Sequence, residues 1–212
     1  MKLVKLPPMG SFEVNGYLII SESGSAFLID APCGADRVIE AAKENNAEIK
    51  KILLTHGHFD HIEALEQLCK KTGARVYIHE NDAHKLNDPR ANLSALSGSI
   101  IKGCENADKV KDGDAIALDE LSVKVFHTPG HTSGSVCYMI ENMIFSGDTL
   151  FYMSIGRTDL TDGNSAVLAD SLKRLAEFKG GYDDYRVLAG HGDETSLSFE
   201  IKNNPYLGRF DF

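Results

Sequence analysis

The sequence predicts a mixed α/β fold in which two β-sheets carry helices on their outer faces. Three observations predict it. Apolar runs of strand length alternate with stretches of helical spacing in the first part of the chain, a series of strand-like runs joined by short turns follows, and an amphipathic helix and one more apolar run close the pattern. With 212 residues and 42% hydrophobic content the chain can fill a sizeable core, and one domain over residues 1–212 is expected.

Taken in order, FEVNGYLII and SAFLIDAP read as two strands around the turn-forming SESG, and ADRVIEAAKENN has the helical spacing Val38, Ile39, Ala42. The apolar run KILLT follows. A helix is predicted from about Ile62 to Lys71, with Ile62, Leu65 and Leu68 on one face, and then a short strand, ARVYI, after Gly73. The stretch from about Asn81 to Gly103 is polar, small and irregular, which predicts short helices and loop near the surface, a candidate cover. AIAL, LSVKVFHT, SVCYMI and NMIFSG read as successive strands with turns at DE and EN. SAVLADSLKRLAEF is an amphipathic helix and YRVLAG a final strand.

Charge and composition exclude several classes of function. A net charge of -9 gives no long-range attraction for phosphate backbones, and no Lys/Arg run exceeds the pairs Lys50-Lys51 and Lys70-Lys71, so no nucleic-acid partner is expected. MKLVKLPPMG reads as neither signal peptide nor membrane span, which predicts a cytoplasmic protein with no membrane partner. Cys33, Cys69, Cys104 and Cys137 are too widely spaced for a CxxC site and are expected to be free thiols. Nothing in the sequence speaks to oligomeric state.

The stretch THGHFDH, residues 55–61, crowds three histidines and an aspartate into seven positions. Imidazoles packed together without partners repel one another as they gain charge near neutral pH, so the crowding implies an electrophile among them. KILLT, VKVF, MIFSG and RVLAG each read as a buried strand that runs into polar residues. His56, His58, Asp60 and His61 follow the first, His131 the second through TPGH, Asp148 the third and His191 the fourth. Strand ends are where loops vary on a rigid frame, and four of them point to one site. Five histidines and two aspartates form an N/O set suited to zinc, iron or manganese. Seven side chains are too many for one tetrahedral ion. They suit two ions that share a carboxylate and keep open positions for water, a hydrolytic arrangement. His79, His84 and His127 read as surface or supporting residues.

THGHFDH, PGHTSGS, SGDTLF and AGHG, in this order and at these intervals, resemble the metallo-β-lactamase superfamily. SIGRTDL and the terminal NPYLGRF are similar to its glyoxalase II (hydroxyacylglutathione hydrolase) branch, and the resemblance covers nearly the whole chain. It implies a four-layer αββα sandwich holding two divalent metal ions, Zn2+ first, with Fe or Mn as alternatives. One ion would be held by His56, His58 and His131, the other by Asp60, His61 and His191, with Asp148 bridging. The implied reaction is hydrolysis of a thioester, S-2-hydroxyacylglutathione or a similar thiol-carrier thioester. A hydroxide held by the metals would attack the carbonyl, Asp60 would orient it, and the stable thiolate would leave with little help from an acid.

The resemblance also places Arg157 where longer glyoxalase II members carry a basic residue that contacts glutathione; the alternative is a surface pair with Asp159. Only 21 residues follow His191, so the helical domain that closes over glutathione in those enzymes is not expected. Two other readings remain open: a persulfide dioxygenase with one iron held by two histidines and an aspartate, and a non-catalytic metal-binding module.

Overall fold

A computed structural model describes residues 1–104 and 106–207, so the GRF of NPYLGRF lies outside the described residues. One sheet has six strands, β1 Lys2–Lys5, β2 Tyr17–Ile20, β3 Ser25–Ile29, β4 Glu48–Leu53, β5 Arg75–His79 and β6 Ala107–Val110, arranged in that order. β1 to β3 form an antiparallel meander, whereas β3 to β6 run parallel. Parallel neighbours need crossovers. Helix α1, Ala35–Glu44, supplies the first, and α2, Phe59–Ile62, with α3, Leu65–Thr72, supplies the second. The third is the stretch before β6, with 3-10 turns at Ala83–Asn87 and Ser94–Ser97.

The second sheet contains β7 Ala115–Leu118, β8 Leu121–His127, β9 Val136–Ile140 and β10 Met143–Gly147 as an antiparallel run. A small hairpin, β11 Leu150–Phe151 and β12 Ser154–Ile155, and helix α4, Ser165–Ala176, lead to β13 Arg186–Ala189. β13 lies parallel to β10, and β14 Thr195–Ser196 closes the edge before α5, Leu197–Asn203. Asn164 caps α4 by accepting a hydrogen bond from the Val167 N–H at 3.1 Å, one of the donors a helix start leaves unpaired.

Alternation along the strands divides the core into three apolar layers. Leu18, Leu28, Ile52 and Val76 face Val38 of α1 and Leu65 and Leu68 of α3. Tyr17, Ile19, Phe27 and Leu53 face the opposite way, against Val123, Val125, Tyr138 and Phe145 of the second sheet. Met139, Ile144 and Val187 meet Leu168, Leu172 and Leu175, the buried stripe of α4. Each such aliphatic side chain contributes roughly 1.5–3 kcal/mol of burial. The result is the four-layer αββα sandwich. Among the described residues, no helix is long and apolar enough to cross a membrane.

Several predicted boundaries shift. The helix predicted over residues 62–71 begins earlier and breaks at Glu63–Ala64, because Ala31 takes two of its backbone groups: its N–H donates to the His61 carbonyl and its carbonyl accepts from the Ala64 N–H. FEVNGYLII is extended only from Tyr17; Glu13 is left-handed and Val14 bridges to Met9 and His191 instead. VKVF is not buried throughout, since β8 alternates buried and exposed. The stretch 81–103 is less superficial than predicted, for Asp82, Lys85, Leu86 and Asn92 are all buried. The four cysteines are free.

Candidate metal centre

The parallel directions of β8, β10 and β13 bring His131, Asp148 and His191 to one edge of the second sheet, and β4 of the first sheet ends beside them in His56, His58, Asp60 and His61. His58 precedes α2, and Asp60 and His61 lie within it, so the last two candidate ligands of THGHFDH ride on a helical turn rather than a loop. All seven predicted residues meet. They fall into overlapping groups, His56 with His58 and His131, Asp60 with His61 and His191, and His56 with His61 and Asp148. His79 and His127 lie outside these groups; their rings stack on each other at 3.9 Å.

Hydrogen bonds on the far side of four imidazoles decide which nitrogen faces inward. His131 Nδ1 lies 2.8 Å from the Arg157 carbonyl and His191 Nδ1 2.8 Å from the Phe12 carbonyl; both must donate, because a carbonyl only accepts. His61 Nδ1 lies 2.9 Å from Asp30 Oδ2. His56 Nδ1 lies 3.1 Å from the hydroxyl of Thr55, whose own proton goes to Asp30. In the neutral rings the Nε2 lone pairs therefore point into the cluster, and His58 turns Nδ1 there.

Those inward atoms lie close to one another: His58 Nδ1 to His131 Nε2 is 2.9 Å and His61 Nε2 to His191 Nε2 is 3.3 Å. Asp148 spans both groups, with Oδ2 3.4 Å from His131 Nε2 and Oδ1 3.4 Å from His61 Nε2 and 3.6 Å from His191 Nε2. Asp60 Oδ2 is 3.5 Å from His191 Nε2. Lone pairs facing at such distances repel unless a cation lies between them. Tetrahedral bonds of about 2.0–2.1 Å put ligand atoms roughly 3.3–3.4 Å apart, close to this spacing. The buried His56 Nε2 and Asp148 Oδ1 make no hydrogen bond at all, a costly state that a cation relieves. The residues present fit two divalent ions.

The two groups differ electrostatically. Burial, reinforced by the neighbouring histidines, pushes His56 well below the ordinary imidazole range and His58 down to about 3. Burial also opposes charge on His61 and His191, but carboxylates outweigh it: Asp30, Asp148 and Asp60 raise His61 well above its ordinary value, and Asp60 and Asp148 raise His191. Against their own burial, Asp148 and Asp60 are both held below the usual carboxylate range, with His61 the largest favourable influence.

The centre opens into a cleft of about 360 Å³ with apolar walls of Phe12, Phe59, Leu93, Leu96 and Leu160. Arg157 stands at its edge, mostly exposed, with both arms of its guanidinium on Asp159 at 2.7 and 2.8 Å. Asp30 escaped the reading of the sequence, although it ends the run SAFLID as Asp148 ends MIFSGD. Asp82 and Lys85 also escaped it, having no sign beyond their i,i+3 spacing.

The match to the metallo-beta-lactamase superfamily extends over residues 9–191. Similar proteins include the probable metallo-hydrolase YqgX of Bacillus subtilis, 36% identical over 96% of both chains, and the hydroxyacylglutathione hydrolase GloC of Haemophilus influenzae, 30% identical over 96% of this chain and 97% of that one. Among solved structures, the B3 metallo-beta-lactamase BLEG-1 superposes with a TM-score of 0.89 at 34% identity, covering 97% of this chain and 99% of the other. TTHA1623 in a di-iron-bound form gives 0.83 at 32% identity, over 98% and 100%, and ETHE1 from Myxococcus xanthus 0.81 at 30%, over 99% and 86%. With the fold, the order of its site residues and a family match over most of its length all in agreement, the chain belongs to the metallo-beta-lactamase superfamily.

Proposed function

We propose that the chain is a dinuclear metal-dependent hydrolase of thioesters formed with a small thiol carrier, S-2-hydroxyacylglutathione or a related compound. The observation that carries this reading is Asp148, whose two oxygens face the two halves of one cluster. His56, His58 and His131 would hold one ion and Asp60, His61 and His191 the other. Two divalent ions there would supply a hydroxide near neutral pH and polarise a carbonyl oxygen. The N/O donors suit Zn2+, and iron or manganese also fits the set; the likeness to a di-iron-bound protein keeps iron in view.

The chain's own groups would do the rest. Asp60, held ionised, presents a carboxylate oxygen that can accept a proton from the attacking water and fix its direction. Phe12 and Phe59 meet edge to face at 5.4 Å and, with Leu93, Leu96 and Leu160, would exclude bulk water and seat the acyl group. A thiolate leaves without a strong general acid, and none is needed in the cleft. Arg157 would contact a carboxylate of the carrier by exchanging Asp159 for it. The similarity to GloC supports the glutathione thioester in particular.

The persulfide dioxygenase reading needs one iron with two histidines and an aspartate, and leaves the Asp60, His61, His191 group without a task. Metal content and turnover separate the two. Protein purified without chelator is expected to carry about two metals per chain and to hydrolyse thioesters across a panel of carriers; one iron per chain, with oxygen consumed on adding a persulfide, would replace this reading. Two metals without turnover of any thioester would favour a binding module.

A further inference from the structure

Asp82 and Lys85 form a buried ion pair that none of the chemistry above uses. Both side chains are almost completely buried, and Lys85 Nζ lies 3.4 Å from Asp82 Oδ1 and 2.8 Å from each oxygen of Asp162. Such burial is costly unless the charges are paired and their remaining bonding capacity is filled. Here two loops fill it. Asp82 Oδ2 accepts from the Gly57 N–H at 2.8 Å and the Thr132 hydroxyl at 2.8 Å, and Oδ1 accepts from the Gly134 N–H at 2.9 Å. Asp162 Oδ2 accepts from the Ser133 N–H at 2.9 Å.

The donors have a pattern. Gly57 lies between His56 and His58, and Thr132, Ser133 and Gly134 directly follow His131, so each of these backbone donors belongs to the loops of one half of the cluster. Both loops press on the pair: a Cβ at Gly57 would come within 2.7 Å of Lys85 Cβ, and one at Gly134 within 2.6 Å of Asp82 Cβ. Asp60, His61 and His191 receive nothing from this network. Their support comes from Asp30 and the Phe12 carbonyl.

We infer that Asp82, held by Lys85, is a positioning residue that sets the spacing of the THGH and GHTSG loops and thereby governs metal affinity at the His56, His58, His131 half alone. The inference rests on the proposed dinuclear centre. One carboxylate that bonds both loops fixes their separation, and His58 Nδ1 and His131 Nε2, only 2.9 Å apart, depend on that separation. Neutralising Asp82 would leave Lys85 with less charge compensation and turn one acceptor atom into a donor facing an N–H.

The test measures Zn2+ affinity by chelator competition in two backgrounds, each with a single half intact. With His191→Ala, which leaves the first half, adding Asp82→Asn is expected to weaken Zn2+ binding by about 10–100-fold, the usual range for residues that support a ligand. With His131→Ala, which leaves the second half, the same substitution should change affinity by no more than about twofold, as for independent sites. Thr132→Val removes one donor and keeps the charges; it should give a smaller loss in the same direction and provides the comparison if Asp82→Asn does not fold. Equal weakening in both backgrounds would assign the network to general stability and overturn the inference, as would no change in either. Failure of the wild-type protein to bind any of Zn2+, Fe2+ and Mn2+ would instead overturn the dinuclear reading.

Discussion

The His56, His58, His131 half and the Asp60, His61, His191 half share Asp148 but occupy opposite surroundings. In the first, buried imidazoles lie near one another and near the charge of Lys85, and His56 and His58 are kept neutral. In the second, Asp30, Asp60 and Asp148 surround His61, and protonation is favoured on it and on His191. His56 and His58 can receive a cation without losing a proton, whereas a cation at His61 and His191 competes with the protons their surroundings favour. The difference teaches that two sites of similar ligand count can respond differently to acid, to mutation and to metal supply.

The largest expected effect removes the shared member. Asp148→Ala deletes the one carboxylate facing both halves and leaves two proposed cations with less compensation for their mutual repulsion, so both metals should be lost and activity should fall more than for any single histidine substitution, by on the order of 100-fold or more. Near-normal turnover with two metals retained would remove Asp148 from the bridge.

A more selective change tests the second half. Asp30 fixes the His61 ring and also accepts from the Thr55 N–H at 2.8 Å. Asp30→Ala should lower affinity at the Asp60, His61, His191 half, where Asp30 bonds a ring directly, by about 10–100-fold, and less at His56, which it reaches only through Thr55, as judged by metal content after dialysis. Loss confined to the other half would reverse the comparison.

Acid sharpens it further. Because the His61 and His191 pKa values are raised, protons compete with metal there once the pH falls to those values, and affinity should drop with decreasing pH. The depressed values of His56 and His58 predict no such competition at those two residues until far lower pH, near about 3 for His58. Calorimetric titration in buffers of different ionisation enthalpy should show more protons released on filling the second half than the first. Equal release from both would remove the electrostatic distinction.

The smallest effect concerns Arg157, whose pair with Asp159 is exposed and so contributes little to stability. Arg157→Ala should raise KM for S-lactoylglutathione by roughly tenfold or less, with kcat nearly constant, and should leave an uncharged short-chain thioester unaffected. Equal effects on both substrates would show that the residue serves the loop, whose Arg157 carbonyl holds His131 Nδ1 whatever the side chain does.

By itself the sequence determined the α/β class, the turns at DE and EN and the membership of the cluster. Strand periodicity and the polar residues closing KILLT, MIFSG and RVLAG are local signals, and a ligand must be present in the chain to be found at all. The grouping of those candidate ligands, the supporting Asp30 and the division into two unlike halves were decided only by the tertiary structure. Asp82 lies 50 residues from Thr132 and Asp30 lies 31 from His61, and no local pattern marks either partnership. The break between α2 and α3 has the same cause, since Ala31 reaches in from another segment to take the backbone groups that an uninterrupted helix would have used. Electrostatics follows position: the same imidazole is pushed down at His58 and up at His61, three residues apart, because the groups that surround each come from distant parts of the chain.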